Sequence, residues 1–497
     1  MLKQKIILSY ASQIIFQILQ VAASLVVARI AGPTVLGTVA FGTAYVSTLL
    51  FVSDLGLVVA HIKMISEGRD EPTCISTFAG LKLASTTLFV LVVLGLFLFQ
   101  KYVLDYQFES QTHEYVIFIA LVALTINQLL FIPRGTFAAR TEQAKTDSIN
   151  LLQGFVLQPA RIVVVLLGFG AIALAWANLA SYLLIIPFVW YLFRDYRWGS
   201  FDRTLAKEYI RISMPVIVIG MSTGMVYQID KVLLQFFADS EQVGYYTAGY
   251  KIGGFILLIG KSVRNLFFPL FSKAVAEGNR DYIKDKITRF ERFSFIFIMP
   301  IVVLVAIFSE PIILLLLGDR YGPSVPVMQL ITLAMCIMVV NMPFGSVIDG
   351  LGKFRLSAIL NLANLLLFVG VIIAMISPQT FNLGATGVAI AIFVSNAFIG
   401  TLYRIYATRY FPVLSHRKAL KFITFGAVCF GLGYYVYDQF FDANWGLRIL
   451  FALLYLGGVY GIFILFRWMT PKDWQDLLSI FDFGSMKKYV SGEIKKR

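Results

Sequence analysis

Residues 171–193 read AIALAWANLASYLLIIPFVWYLF, twenty-three consecutive positions without a charged side chain. A helix needs about 20 apolar residues to cross the ~30 Å hydrocarbon core of a bilayer, so this stretch predicts a membrane-spanning helix. Comparable runs recur along all 497 residues, of which 58% are hydrophobic and 14% charged. A mean hydropathy of +0.78 excludes an ordinary soluble domain. We therefore predict an all-α polytopic membrane protein.

The apolar runs predict about fourteen membrane-spanning helices separated by short loops. The larger hydrophilic segments are 194–211, 272–292 and the C-terminal tail. The predicted helices lie approximately at 6–30, 36–60, 77–100, 114–133, 148–168, 171–193, 212–238, 243–271, 293–317, 326–350, 356–377, 384–406, 420–441 and 446–468.

Positive charge is distributed unevenly between the two sides of the predicted membrane. If the N-terminus is cytoplasmic, thirty-two of the forty-two Lys and Arg residues fall in cytoplasmic segments and four in outer ones. This asymmetry is the positive-inside signature and predicts that both termini are cytoplasmic. The net charge of +14 is therefore explained by basic residues in the cytoplasmic segments, and it does not indicate a nucleic-acid partner. Three scattered cysteines indicate neither a disulfide framework nor a metal site.

Six basic side chains lie at least five residues inside the ends of the predicted spans, and each would cost about 2.5–3.5 kcal/mol at the centre of a lipid-facing helix. Only three acidic residues lie equally far inside the spans, so the interior carries net positive charge and favours an anionic cargo. We interpret the six as a cationic substrate-binding cavity, although Lys82 and Arg264 are close enough to the cytoplasm to snorkel. The six are Lys82, Arg161, Lys231, Lys251, Lys261 and Arg264, and the three acids are Asp54, Asp230 and Glu310.

Arg161 is the strongest single candidate, because it lies mid-span with no acidic neighbour on its own turn. Asp230 and Lys231 are adjacent and so project about 100° apart. We expect that they cannot face the same way and that Asp230 pairs with a cation on another helix. Asp230 and Asp54 are candidates for gating or ion coupling.

The first helix carries a polar stripe at helical spacing. It would either pack against a neighbouring helix or line a hydrated cavity that suits sugar hydroxyls, and both interpretations stay open. The stripe comprises Gln13, Gln17, Gln20 and Ser24, with Ser9 at its start.

Three pairs of similar segments indicate an internal duplication. Gly37 and Gly42 match Gly244 and Gly249 at an offset of 207 residues. PRGT at 133–136 matches PFGS at 343–346, and GAIALAWANLAS at 170–181 matches GATGVAIAIFVS at 384–395. Six helices per copy give parallel repeats, and transporters built this way bind cargo between the halves.

The duplication divides the chain into four predicted parts. These are an N-terminal six-helix bundle at 1–200, a C-terminal six-helix bundle at 201–410, two additional helices at 411–470 and a cytoplasmic basic tail at 471–497.

An enzyme fits the sequence poorly. His61, His113 and His416 fall in loops or at helix ends, so we expect no buried histidine for acid–base catalysis. We find neither a paired-carboxylate motif nor a GxxxxGK[ST] phosphate-binding loop, so neither catalysis nor direct ATP use is expected.

Several motifs together resemble the polysaccharide transporter family, the Wzx-type oligosaccharide-lipid flippases of the multidrug/oligosaccharidyl-lipid/polysaccharide exporter superfamily. They cover most of the chain, and the last two resemble colanic-acid-exporter-like members in particular. The motifs are ARIAGPTVLG at 28–37, SDLGL at 53–57, IDKVLL at 229–234, VGYYTAGYK at 243–251, RNLFFPLFSK at 264–273 and LLGDRYGPSVPVMQLI at 316–331.

The resemblance implies two bundles around a central cavity that opens alternately to each side of the bacterial cytoplasmic (inner) membrane. The implied cargo is an undecaprenyl-pyrophosphate-linked oligosaccharide repeat unit for surface polysaccharide biosynthesis. Implied partners are membrane lipids, a polysaccharide polymerase and glycosyltransferases. No cofactor is implied, and coupling to membrane potential, H⁺ or Na⁺ stays open. The alternatives are an ion-coupled multidrug/cation antiporter, which commonly uses a carboxylate such as Asp230, and a non-transporting membrane scaffold protein.

Overall fold

A computed structural model describes residues 2–226, 228–410, 416–441 and 444–469. Within these ranges the side chains are described from residue 19 onward, except at 215–216, 218–220, 222–223, 258–266, 269, 416–420 and 422.

The described chain is built of α-helices joined by short loops, with no strand in these ranges. The helices are α1 Leu2–Ser47, α2 Phe51–Asp54, α3 Leu57–Ser66, α4 Glu71–Tyr102, α5 Gln111–Leu129, α6 Phe131–Ala139, α7 Gln143–Leu166, α8 Ala171–Phe193, α9 Arg203–Val226 and α10 Ile229–Phe237. They continue with α11 Ser240–Gly253, α12 Leu257–Ala276, α13 Arg280–Phe293, α14 Met299–Ile307, α15 Ser309–Leu317, α16 Ser324–Gly350, α17 Phe354–Ile376, α18 Gly384–Tyr410, α19 His416–Phe440 and α20 Trp445–Leu465.

These helices confirm the predicted fold class of an all-α polytopic membrane protein. Ten helical stretches in the described residues are long and apolar enough to cross a membrane, while the total of fourteen stays a prediction. Helix α8 has the predicted bounds. The first two predicted spans meet within α1 at Gly32, whose φ of 81° and neighbouring Pro33 break the regular helix. The predicted tail at 471–497 lies outside the described residues.

The chain forms two compact units. The first comprises 1–248, 313–324 and 361–391. Its helices α1, α5, α7 and α8 pack on one another, and Val27, Val165 and Leu174 are buried where α1, α7 and α8 meet. The predicted boundaries at residues 200 and 410 stay predictions.

The second unit comprises 249–312, 325–360 and 392–497. Helices α19 and α20 pack on α14 around an aromatic core that includes Phe295, Phe451 and Phe463. Arg404 and Glu291 form a buried ion pair, each with a side chain that is 6% exposed. This arginine lies two residues before the end of the predicted span 384–406, so it is not one of the six predicted intramembrane cations. Its charge is neutralised locally, so it adds nothing to a cationic cavity.

Candidate functional site

Lys82 is fully enclosed in the first unit and does not snorkel to the cytoplasm. Its Nζ donates to the backbone oxygen of Ser53 at 2.9 Å and to Oε1 of Gln128 at 2.8 Å. The ammonium also lies 5.6 Å from the ring centre of Phe131. All these partners are neutral, so the charge is solvated by dipoles and is not cancelled by a carboxylate.

Arg161 is half-buried on α7. No ion pair or hydrogen bond of its guanidinium is found among the described residues, in keeping with its lack of an acidic neighbour in the sequence. It lies five residues before the end of α7 at Leu166, closer to that end than the predicted mid-span position. A guanidinium without a partner is well suited to bind phosphate.

The expectation for Asp230 and Lys231 is wrong. Lys231 Nζ lies 3.1 Å from Oδ1 of Asp230, and Tyr246 donates its hydroxyl to Oδ2 of the same carboxylate. The two residues open the short helix α10, and the flexible four-carbon lysine chain curls back despite the 100° difference in direction. Asp230 is therefore neutralised by its own neighbour.

The remaining predicted residues are distributed as follows. Lys251 is exposed on α11 in the second unit, and Asp54 is exposed at the end of α2. On α1, Gln20 is exposed whereas Ser24 is buried, so these two members of the stripe meet different surroundings. The side chains of Gln13, Gln17, Lys261 and Arg264 lie outside the described part of the chain.

Arg134 is a cation of the first unit that the sequence analysis missed. Its Nη1 donates to Oδ1 of Asn127 and its Nη2 to Oε1 of Gln153, both at 3.3 Å. Its Nε is buried and has no acceptor. The available signal was PRGT at 133–136, where Arg134 lies one residue beyond the predicted end of the fourth span.

Two histidines, His61 and His113, are buried, contrary to the expectation from their predicted positions in loops or at helix ends. His61 is fully buried on α3, with Nδ1 2.9 Å from the hydroxyl of Tyr209 and Nε2 2.9 Å from Oγ1 of Thr136. Its ring stacks on Phe78 with centroids 4.1 Å apart. The helix end is covered by α6 and α9, which a single sequence does not reveal. Both ring nitrogens are engaged by hydroxyl groups, so His61 connects helices.

Helices α1 and α11 lie against each other within the first unit. We call the contact of Pro33 and Gly37 on α1 with Ser240 and Gly244 on α11 the glycine seam. A Cβ atom built on Gly37 would lie 1.7 Å from the backbone oxygen of Ser240. A Cβ atom on Gly244 would lie 2.0 Å from the backbone oxygen of Pro33. Only glycine permits such close backbone approach. By the predicted topology, the seam lies at the outer ends of the helices.

A polar cluster closes one edge of the glycine seam. Glu109 Oε2 accepts hydrogen bonds from Ser240 N at 2.9 Å, Ser240 Oγ at 2.6 Å and Gln235 Nε2 at 2.7 Å. His113, which is buried, places Nε2 2.6 Å from the same Ser240 Oγ and 3.7 Å from Glu109. Burial alone would raise the pKa of Glu109, but the hydrogen bonds prevail and hold it below its ordinary value.

A cavity of about 700 Å³ opens beside this cluster, with Thr34, Glu109, His113 and Trp176 in its wall. The carboxylate that holds the seam is therefore accessible from this cavity.

Three comparisons place the chain among known proteins. A family model described as "Polysaccharide biosynthesis protein" matches residues 26–326. The probable low-salt glycan biosynthesis flippase Agl15 of Haloferax volcanii is 20% identical over 78% of this chain and 79% of its own length.

Solved transporter structures show the same fold. The lipid II flippase MurJ in an inward closed conformation superposes with a TM-score of 0.67 at 15% identity, over 92% of this chain and 98% of that chain. An inward-facing multidrug resistance transporter of the MATE family superposes with a TM-score of 0.65 at 16% identity, over 80% of this chain and 94% of that chain.

Proposed function

The chain belongs to the polysaccharide biosynthesis protein family, and from this premise we propose that it is a flippase for a lipid-linked glycan. In this proposal it moves an undecaprenyl-pyrophosphate-linked oligosaccharide repeat unit across the bacterial cytoplasmic membrane by alternating access. The relative and the structural neighbours are named as flippases and transporters, which supports a transporter and not an enzyme.

The observation that carries the proposal is the unpaired cationic charge of the first unit. Arg161 has no acidic partner in the described structure, and Lys82 is held by neutral oxygens only. Removing such charges from water is costly unless an anion or a set of dipoles compensates them. A pyrophosphate would supply the missing negative charge, with Arg161 as its bidentate partner.

The multidrug/cation antiporter is the less supported alternative. A cation antiporter of the kind considered above would need Asp230 as an available carboxylate, but the ammonium of Lys231 already lies against it at 3.1 Å. Positive charge at Lys82 and Arg161 would also repel a cationic drug. Coupling to membrane potential, H⁺ or Na⁺ belongs to the proposal without an assigned residue, and Asp54 is an exposed candidate.

Substitution of Arg161 tests the proposal. Arg161→Ala should lower glycan export strongly because a charge-assisted contact to phosphate contributes about 1.5–3 kcal/mol. Arg161→Lys should recover part of it, since lysine keeps the charge but loses the planar fork. Arg161→Glu should be the most impaired. Export is measured together with protein abundance in the membrane.

Arg203→Glu is the matched control, because Arg203 is an exposed arginine at the start of α9; it should export normally. Near-normal export from both Arg161→Ala and Arg161→Glu would remove Arg161 from the transport path. Organic-cation efflux without glycan export would favour the antiporter, and neither activity would favour the scaffold protein.

A further inference from the structure

We propose that Arg134 is a second anion-binding residue, which receives the pyrophosphate of the cargo at the predicted inner end of the first unit before Arg161 does. This inference rests on the proposed function and assigns a residue to the first step of that transport.

The guanidinium of Arg134 is oriented but not neutralised. Asn127 and Gln153 each accept one hydrogen bond at 3.3 Å, from Nη1 and Nη2 respectively. Both acceptors are amide oxygens, which fix the plane of the fork and leave its positive charge in place. The buried Nε has no acceptor among the described residues, although unpaired buried donors are rare and costly. The Nε–H of Arg134 could therefore donate a further hydrogen bond to a bound anion.

The neighbouring cation is held in the same manner. Gln128 follows Asn127 in the sequence and accepts from Lys82 Nζ at 2.8 Å. Two consecutive amide side chains near the end of α5, Asn127 and Gln128, thus accept hydrogen bonds from Arg134 and Lys82 respectively. Among the described side chains, no carboxylate lies within ion-pair distance of Lys82 or Arg134. Two cations that are held by amide oxygens and lack an ion-pair partner favour binding of an anion in this part of the first unit.

Arg404 is a buried arginine whose role is structural, and it can be compared with Arg134. Its guanidinium is paired with the carboxylate of Glu291, although its Nη1, like the Nε of Arg134, is buried without an acceptor among the described residues. The two arginines therefore differ in the carboxylate, which Arg134 lacks. The contrast indicates that Arg134 lacks a carboxylate because its partner is supplied from elsewhere.

The direction of the side chain argues against simple snorkelling to lipid headgroups. Arg134 lies five residues before the end of α6 at Ala139, about 7.5 Å along a helix. Its Nη1 contacts Asn127, seven residues earlier in the chain and deeper from that predicted cytoplasmic end. The guanidinium therefore points into the bundle and away from the inner interface, contrary to what snorkelling requires.

Helix α7 connects the two arginines. Gln153, which orients Arg134, precedes Arg161 by eight residues on α7, a rise of about 12 Å. Arg161, for which no partner is found among the described residues, therefore lies about 12 Å further along α7 than the residue that orients Arg134. The order Arg134 then Arg161 follows from the predicted topology, in which α7 begins at the cytoplasmic side.

The test measures binding of sugar-free undecaprenyl pyrophosphate to the purified full-length protein in nanodiscs, with uncharged undecaprenol as the second probe. Arg134→Ala should weaken binding of the pyrophosphate about 10-fold or more, and Arg134→Lys should be intermediate. Neither variant should change binding of undecaprenol. Arg140→Ala is the matched control, because Arg140 lies six residues away and is exposed and paired with Glu71 and Glu142; its affinity should stay within about twofold.

Gln153→Ala gives an independent reading if Arg134→Ala does not remain folded. It keeps the cation but removes one oxygen that orients it, so pyrophosphate binding should weaken several-fold. Wild-type affinity in both Arg134→Ala and Gln153→Ala would overturn the inference and leave the proposed function intact. Absence of pyrophosphate-dependent binding in the wild-type protein would overturn both.

Discussion

Gly37→Ala should prevent the glycine seam from closing. The added Cβ would lie 1.7 Å from the backbone oxygen of Ser240 and 2.7 Å from the backbone nitrogen of Gly244. An unstrained contact between carbon and oxygen needs about 3.3 Å, so the two helices would have to separate by roughly 1.6 Å. Both obstructing atoms belong to the backbone of α11, so no side chain can rotate away to relieve the clash.

The size of the effect follows from overpacking energies. Inserting a methyl group into a tightly packed site costs about 1–3 kcal/mol when the backbone must shift. If that cost falls on the closed seam alone, the ratio of open to closed seam rises about 5- to 150-fold. Export should fall as well, because the proposed alternating-access cycle requires the outer side to close.

Accessibility of a single cysteine measures this ratio. Thr247 is buried on α11, 4% exposed, and Thr247→Cys in a background without native cysteines gives the labelling position. An impermeant thiol reagent added outside should label it faster in the Gly37→Ala variant. Gly95→Ala is the matched control, since a Cβ on Gly95 of α4 would meet no atom within 4 Å.

Unchanged labelling and normal export in Gly37→Ala, with the variant inserted at wild-type abundance, would refute the reasoning. The seam would then have more freedom than its backbone distances indicate. Faster labelling in Gly95→Ala as well would show that the assay reports general loosening of the protein.

Two further predictions concern charged groups. The pKa of Glu109 is held below its ordinary value. The ionised carboxylate therefore stabilises the closed seam at a pH above that ordinary value, and this stabilisation is lost as the pH falls through the lowered pKa. Outside labelling of Thr247→Cys should rise in acid, and Glu109→Gln should flatten this pH dependence. Arg404→Met should destabilise the protein by about 3–5 kcal/mol, because it removes the cation that pairs with the buried carboxylate of Glu291. The loss should be seen as a lower midpoint of thermal unfolding, and the additional change Glu291→Leu should restore much of it; no recovery in the double variant would contradict this.

The fold could be predicted because the bilayer imposes a length and a composition on each helix. Helix α8 begins at Ala171 and ends at Phe193, as the charge-free run predicts. Helix ends outside the hydrocarbon were harder to predict. Helix α7 begins at Gln143, five residues before the predicted span, since polar first turns carry no hydropathy signal.

The site was predicted less well, because partners distant in sequence decide it. Lys82 and Arg161 could be singled out as charges in apolar runs, but only the fold shows that one is enclosed and the other unpaired. Arg134 fell just outside a predicted span and was overlooked. The local geometry at Asp230 was mispredicted because an ideal helix was assumed where α10 begins anew after a break.

The glycine seam is reciprocal in the numbering of the predicted duplication. Gly37 and Gly244 are 207 residues apart, and so are Pro33 and Ser240, while Gly37 meets Ser240 and Gly244 meets Pro33. A reciprocal exchange of equivalent positions is the property of an isologous interface between two identical subunits. The contacts of the seam therefore have the reciprocal form that two copies of the predicted six-helix repeat would make about a two-fold axis. Substitution of either glycine should for this reason disturb the same contact from opposite sides.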